Sequence, residues 1–243
     1  MVTLCLDFGN TRLKAAVFQK EFMEETIILP DDTPKTIQPL LEKYNPQRCI
    51  LSSVIKHNPG IENLLKEKTI FHKLTASTKI NFTSPVGKPE TIGADRLALM
   101  AAAVHFYPGK NNLIIGLGSC ITYNFLNQYH EFLGGGISPG MDMRFRAMHE
   151  HTAMLPLEKA TWNFPVIGYD TKTNLQSGVI AGIAHEIRGF IDYYSSKYGN
   201  FNVVLTGGNS SYFAGQLKTR IFADHNFLFK GLYALSELNN CPD

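Results

Sequence analysis

The segment from Asp7 to Lys14 (DFGNTRLK) concentrates groups that could bind a chain of phosphates. Gly9 and Asn10 tolerate the positive φ of a tight hairpin turn, and such a turn presents backbone N–H groups beside an amide, a hydroxyl and a lysine. This array of donors suits an anion, and Asp7 could hold a hydrated magnesium ion against the same phosphates. By itself, the segment could also be a surface hairpin whose polar turn is only solvated.

A second segment, 113–126 (LIIGLGSCITYNFL), repeats this arrangement of strand, glycine turn and strand. Aligning the turn glycines places Asp7 opposite Gly116, a separation of 116 − 7 = 109 residues. A third turn of glycine and hydroxyl residues, TGG at 206–208, follows a predicted buried strand at 202–205. Ligands of open α/β sheets bind at such strand ends. The pattern therefore predicts a duplicated domain with a nucleotide site, its two similar halves facing each other across a cleft.

Strands and helices alternate after an opening three-stranded meander, which predicts mixed α/β sheets. We expect two tightly joined lobes, residues 1–109 and 110–243. In the second lobe, the sequence predicts a glycine-rich bend at 132–140, a helix at 141–154 and one long helix at 173–198. A last strand is predicted at 227–229 and a last helix at 231–237.

Composition excludes several classes of function. The chain has 243 residues, of which 44% are hydrophobic and 18% charged, as in globular proteins with a sizeable core. The net charge is +2 with scattered basic residues, so we expect no nucleic-acid partner. The four cysteines (Cys5, Cys49, Cys120 and Cys241) are far apart, which indicates neither a zinc site nor a disulfide framework. Without a signal peptide or a membrane-length apolar run, a cytoplasmic location is expected and a membrane partner is not.

Asp95 and Arg96 supply a carboxylate and a guanidinium together at a predicted helix start. With them in place, six motifs in order resemble type III pantothenate kinase: DFGNTRLK at 7–14, GADR at 93–96, GSCITYNF at 118–125, GGGISPG at 134–140, TAMLP at 152–156 and TGG at 206–208. The resemblance runs from residue 2 to about residue 233. Each motif alone is weak, but their shared order makes the resemblance strong.

The resemblance implies an activity and a fold. The activity is the ATP-dependent phosphorylation of pantothenate to 4'-phosphopantothenate, the first step of coenzyme A biosynthesis. The fold is α/β, with duplicated ribonuclease H-like domains, mixed sheets and flanking helices, as in actin-like ATPases. The family is a homodimer whose active site is shared between subunits, and small residues at 177–182 would allow a close helix contact.

Roles carried over by the resemblance fall on individual residues. Asp95 would be the general base for the pantothenate hydroxyl, a weak base that a loose phosphoryl-transfer transition state tolerates. Asp7 would hold Mg²⁺ through water. The nucleotide-binding set is Asp7, Phe8, Gly9, Asn10, Thr11, Arg12, Leu13, Lys14 and Ser119. The pantothenate-binding set is Val86, Gly93, Ala94, Asp95, Arg96 and Thr171, the last contributed by the partner subunit.

Each role has a plain structural alternative. Asp95 could merely complement a helix dipole, Arg96 and Lys14 could be solvated surface residues, and Thr171 could be a turn or N-cap residue. His149 and His151 lack acids or cysteines at ligand spacing and are expected at the surface or in a dimer contact.

The sequence departs from the family at the second turn. The aspartate that binds a monovalent cation (K⁺ or NH₄⁺) in the family is replaced by Gly116, and a second acid is replaced by Asn124. The enzyme could work without that cation. Alternatively, the chain could be a catalytically impaired binding or regulatory protein, or a kinase for another small alcohol. Because Asp7, Asp95 and Arg96 are present, we favour the active pantothenate kinase.

Overall fold

The computed structural model describes residues 1–85, 88–217 and 221–240, and their contacts form two compact units. Of these residues, the first unit contains those within Met1–Gly109, Asn127–Leu133 and Asn226–Asp243. The second contains those within Lys110–Leu126 and Gly134–His225. The sequence predicted two continuous lobes with one boundary after residue 109, and that division stays a prediction. No helix among the described residues is both long and apolar enough to span a membrane.

The first unit is built on a five-stranded sheet in the order β3-β2-β1-β4-β5. Its strands are β1 (Val2–Phe8), β2 (Leu13–Gln19), β3 (Phe22–Leu29), β4 (Arg48–Ser53) and β5 (Ile70–Lys73). β1 pairs antiparallel with β2 and parallel with β4. Because the central strand is covered on both faces, its residues from Thr3 to Leu6 are all buried.

Four helices cover this sheet: α1 (Pro34–Tyr44), α2 (Pro59–Lys68), α3 (Ala94–Phe106) and α8 (Phe227–Asn239). α1 and α2 each begin with a proline, whose fixed φ suits the first helical turn. Their buried faces join a core cluster with Leu4, Leu6 and Phe8 of β1. α8 packs against β1, β4 and α3.

The second unit repeats the topology of the first, with a five-stranded sheet in the order β8-β7-β6-β9-β10. Its strands are β6 (Asn111–Leu117), β7 (Cys120–Leu126), β8 (Phe132–Pro139), β9 (Phe201–Gly207) and β10 (Ile221–Ala223). β6 pairs antiparallel with β7 and parallel with β9, as β1 does with β2 and β4. The predicted duplication is therefore confirmed.

The strand register reproduces the predicted separation of 109 residues. Asp7 pairs with Lys14 on β2 and Ser52 on β4. Gly116 pairs with Thr122 on β7 and Thr206 on β9. Asp7 and Gly116 thus occupy the same place in two copies of one topology.

The helices of the second unit are α4 (Met141–Glu150), α5 (Thr171–Gln176), α6 (Gly182–Lys197) and α7 (Ser210–Gln216). A π-helical segment, Ser177–Ala181, joins α5 to α6. The predicted long helix is therefore present, with one wider turn inside it. α4 ends at Glu150, four residues earlier than predicted.

Two predicted elements are wrong. The segment 132–140 is the strand β8 rather than a bend. Gly135 allows the backbone of β8 to lie close to that of β7, because a Cβ on this residue would lie 1.7 Å from the carbonyl oxygen of Tyr123. Residues 227–229 begin α8 rather than form a strand. The apolar run at 227–229 is short and largely buried, and periodicity alone does not distinguish a helix from a strand in such a run.

The first hairpin forms without the expected positive φ at Gly9 or Asn10, since neither residue has one. Its loop has four residues, and the Gly9 N–H donates to the Arg12 carbonyl at 3.2 Å. Loops of this length are usually built on ordinary type I turns, which need no left-handed residue at these positions. The hairpin itself is confirmed.

Gly231 of α8 allows the closest backbone approach in the first unit, because a Cβ there would lie 1.8 Å from the carbonyl oxygen of Ala98 on α3. Gly231→Ala should therefore lower the free energy of unfolding by at least about 2 kcal/mol through overpacking. Gly189→Ala is the matched control, since its Cβ would meet nothing within 4 Å. That helical change should instead stabilise by about 0.5–1 kcal/mol. Urea denaturation measures both, and equal effects would contradict this packing.

Candidate active site

Asp7 lies at the centre of a row of three polar side chains at the end of the first hairpin. It is the next-to-last residue of β1, and the strand register sets Lys14 on one side and Ser52 on the other. Cross-strand partners project from the same face of a sheet. A cation, a carboxyl group and a hydroxyl group therefore stand side by side where the chain turns.

The environment of Asp7 raises its pKa to about 6. Burial is the largest cause, because the ionised form loses hydration. The second is the negative charge of Asp95, while Lys14 and Ser52 oppose the rise. Because the charge of Asp95 acts on Asp7, the two carboxyl groups lie close together. The two carboxylates that the sequence placed in one site are neighbours in the first unit.

Asp95 owes its position to the first turn of α3. Gly93 is the N-cap residue, and no side chain caps this helix start. The Asp95 carboxylate lies over Gly93: a Cβ on Gly93 would be 2.6 Å from the Oδ1 of Asp95. The helix dipole stabilises a negative charge here. Because Asp95 also faces a second carboxyl group, it does more than complement that dipole.

Arg96, the next residue, lies partly buried beside this pair. Its guanidinium carbon is 5.5 Å from the centre of the Phe132 ring, within reach of a cation–π contact. Burial lowers the pKa of Arg96, and the neighbouring Asp95 opposes that change. A partly desolvated guanidinium next to a carboxylate is a strong docking point for an oxyanion.

Within the hairpin, the structure separates binding candidates from core residues. Asn10, Thr11 and Arg12 are exposed at the turn. By contrast, the Phe8 ring is fully buried and contacts His57 edge-on, and Leu13 packs against the same core. The nucleotide contact expected at these two positions stays a prediction, and it falls to their backbone groups because the period-2 alternation of a strand turns their side chains inwards. Only their backbone groups remain available.

In the second unit, glycines bring three turns together. A Cβ on Gly140, before α4, would lie 2.4 Å from the carbonyl oxygen of Gly118 in the second hairpin. A Cβ on Gly207, where φ is +97°, would lie 2.3 Å from the carbonyl oxygen of Leu117. Ser119 is held in this hairpin, and its carbonyl accepts from the Gly140 N–H at 3.1 Å. A pocket beside the turns is lined by Leu117, Gly118, Ile121, Met141, Ile183, Asn209 and Phe213.

The position equivalent to Asp7 carries no charge in the second unit. Gly116 is flanked by two threonines, Thr122 and Thr206. Asn124 is fully buried, and its amide donates to the Ile114 carbonyl at 3.2 Å and the Thr122 hydroxyl at 3.3 Å. An amide that donates in this way supplies positive hydrogens where a carboxylate would supply a charge for a cation.

Two further residues, Thr171 and Val86, were predicted to bind the substrate. Thr171 is the first residue of α5 and is exposed. The capping box is made by Asp170 and Thr173, so Thr171 is not the N-cap residue, and its contact with pantothenate stays a prediction. Val86 lies outside the described residues.

The residues around Asp7 fit a magnesium ion of the kind that kinases use. Mg²⁺ is usually held by one or two carboxylates together with waters and substrate phosphates. Asp7 and Asp95 supply two mutually repelling carboxylates, a repulsion that a divalent cation would relieve. In the described part of the chain, no group of three or more His, Cys, Asp or Glu side chains could form a protein-only metal cage.

Ser52 is the site residue that sequence reasoning missed. It lies next to the last residue of β4, which the sequence predicts as a buried strand at 49–53, and it belongs to no motif. The available signal was topological, because parallel pairing of this strand with β1 places the two strand ends side by side.

Two sheets of identical order, each opening with a glycine-turn hairpin, define the duplicated ribonuclease H-like fold of actin-like ATPases and sugar kinases. Consistent with this, the chain superimposes on a glucokinase from an Antarctic psychrotroph with a TM-score of 0.53, covering 98% of this chain and 99% of that one at 10% identity. That likeness concerns the fold alone.

Sequence comparison then identifies the family. The family model for type III pantothenate kinase matches residues 3–193. The type III pantothenate kinase of Christiangramia forsetii is 40% identical over 240 residues, covering 98% of this chain and 99% of that protein. That of Bacteroides fragilis is 36% identical over 240 residues, with the same coverage. The chain belongs to the type III pantothenate kinase family.

The raised pKa of Asp7 predicts a pH-dependent cost in stability. Between about pH 4 and pH 6 the folded protein binds more protons at Asp7 than the unfolded chain does, so stability falls as pH rises through that window. Asp7→Asn should therefore raise the free energy of unfolding by about 2–3 kcal/mol at pH 8 and by much less near pH 4.

Urea denaturation of the ligand-free protein at several pH values measures this difference. Asp192→Asn, at an exposed position of α6, is the control and should change stability little at any pH. A gain from Asp7→Asn that is independent of pH would contradict the raised pKa.

Proposed function

We propose that the protein transfers the γ-phosphoryl group of ATP to the hydroxyl of pantothenate, giving 4'-phosphopantothenate in the first step of coenzyme A biosynthesis. The observation that carries this proposal is the neighbouring pair Asp7 and Asp95 at a phosphate-type hairpin, in a chain of the type III pantothenate kinase family. The proposal places the reaction in the cytoplasm.

Asp95 accepts the proton of the attacking hydroxyl. Its carboxylate sits in the first turn of α3, which fixes its position. A carboxylate is a weak base, but the transition state of phosphoryl transfer is loose and demands little base strength. The main task of Asp95 is therefore to orient the hydroxyl towards phosphorus.

Arg96 binds an anionic oxygen of the substrate or of the transferring phosphoryl group. Its planar fork of donors fits either the pantothenate carboxylate or an oxygen of the transferring phosphoryl group. Because the guanidinium packs over Phe132 and is partly desolvated, its attraction to an anion is less weakened by water. Gly93 and Ala94 bring their backbone to the same point.

The first hairpin holds the phosphates through its turn, from Gly9 to Arg12, and through Lys14. Bound Mg²⁺, held by Asp7 through water, would neutralise the charge of the β- and γ-phosphates. Ser119 of the second hairpin is proposed as a further nucleotide-binding residue.

A homodimer completes the site by contributing Thr171 to the partner subunit. Support comes from an exposed apolar stretch before α5, since Met154, Val166, Ile167 and Tyr169 are 68–89% exposed. Gly178 and Gly182 also face open space, as a close helix contact requires. Surface this apolar is typical of a protein contact.

The alternatives make different predictions. A regulatory protein would bind ligand without turnover, and no observation on the described residues favours it. A kinase for another small alcohol would release ADP with a different acceptor. A panel of alcohols with coupled ADP detection separates the latter from pantothenate kinase.

Asp95→Asn should reduce kcat for pantothenate phosphorylation by about 10²–10⁴-fold, since it removes the proposed general base. Nucleotide binding should persist, because the hairpin is unchanged. Coupled ADP release measures the rate, and calorimetry measures the binding. Asp192→Asn is the matched control and should keep the wild-type rate. Undiminished turnover by Asp95→Asn would overturn the assignment of the base.

The activity should not depend on K⁺ or NH₄⁺. Gly116 provides no carboxylate, and the Asn124 amide directs its hydrogens to neighbouring oxygens. Initial rates in potassium, ammonium and tetramethylammonium buffers of equal ionic strength should agree within error. A several-fold stimulation by potassium would mean that other groups hold the cation.

A further inference from the structure

Ser52, on β4 beside Asp7, carries a buried hydroxyl. The residue is fully buried, and its Oγ makes no hydrogen bond of normal geometry with any described atom. Buried hydroxyls in folded proteins almost always have a partner. A residue that keeps an unpaired hydroxyl in such a place is a candidate for a contact formed only when a ligand is bound.

The location of Ser52 indicates which group it would serve. The strand register pairs it with Asp7, so the two side chains lie next to each other on one face of the sheet. Ser52 lies close enough to the Asp7 carboxyl to lower its pKa as a hydrogen-bond donor, although the hydroxyl makes no hydrogen bond of normal geometry.

A carboxylate that holds a hydrated divalent cation turns one oxygen to the water shell and leaves the other to the protein. Neighbouring donors that bind the second oxygen fix its orientation and strengthen the site. Lys14 lies on the other side of Asp7, on β2. Ser52 occupies the remaining flank in the sheet, on β4.

We propose that Ser52 is a positioning residue for Asp7: its hydroxyl donates a hydrogen bond to the Asp7 carboxylate when Mg²⁺ and a nucleotide are bound. The inference rests on the proposed function, because it assumes that Asp7 faces the cation. It adds a residue that acts through Asp7 and does not itself touch the nucleotide.

The test compares Mg²⁺-dependent ADP binding by Ser52→Ala, Ser52→Thr and the wild type. Calorimetric titration with ADP at a series of Mg²⁺ concentrations gives the apparent Mg²⁺ affinity. Ser52→Ala should weaken that affinity by about 10-fold, the lower end of the usual loss when a carboxylate ligand loses its supporting hydrogen bond. ADP binding without Mg²⁺ should not change. Ser52→Thr keeps the hydroxyl and should stay near the wild-type affinity.

Ser236→Ala is the matched control, because Ser236 on α8 is also fully buried and its hydroxyl also makes no hydrogen bond with a described atom. It should leave the Mg²⁺ affinity unchanged. Thermal unfolding without ligand gives the second readout. Ser52→Ala should still unfold cooperatively well above the temperature of the titration, so that a loss of Mg²⁺ affinity is not a loss of folded protein.

An unchanged Mg²⁺ affinity in Ser52→Ala would overturn the proposal and leave the proposed function intact. A wild-type protein whose ADP binding ignores Mg²⁺ would overturn the metal role of Asp7, and the role of Ser52 with it.

Discussion

The repulsion between Asp7 and Asp95 is the constraint on which the site depends. Burial of Asp7, together with the negative charge of Asp95 beside it, raises the pKa of Asp7 to about 6. A fold with no use for this arrangement would gain stability by losing one acid. The cost is offset in part by Lys14, by Ser52 and by the helix start beneath Asp95. A phosphate-bound cation and an alcohol proton are the partners that would relieve the rest.

Duplication explains how one chain acquires two similar turns with different chemistry. Both sheets have the same strand order, and Asp7 and Gly116 hold equivalent places in them. The first copy concentrates charge, with acids and a lysine. The second has a glycine flanked by threonines, a buried amide and close glycine contacts.

The sequence was sufficient for the topology and the main acids because those features have local signatures. The spacing between the two glycine turns predicted the duplication, and a helix-start motif predicted Asp95 beside Asp7. The sequence misled where tertiary contact decides the structure. Gly135 of β8 allows the backbone to approach Tyr123 closely. The short apolar run at 227–229 is the largely buried first turn of α8, and so short a run does not distinguish a helix from a strand. Ser52 matters only through its neighbour on β1, which no local pattern of residues encodes.

The most direct test of the central claim is the pKa of Asp7, measured by carbon-detected NMR titration of the ligand-free protein. The account predicts a value of about 6 in the wild type and a clear decrease in Asp95→Asn, because one source of the rise is removed. An Asp7 that titrates in the ordinary range of aspartate, and is indifferent to Asp95→Asn, would contradict it.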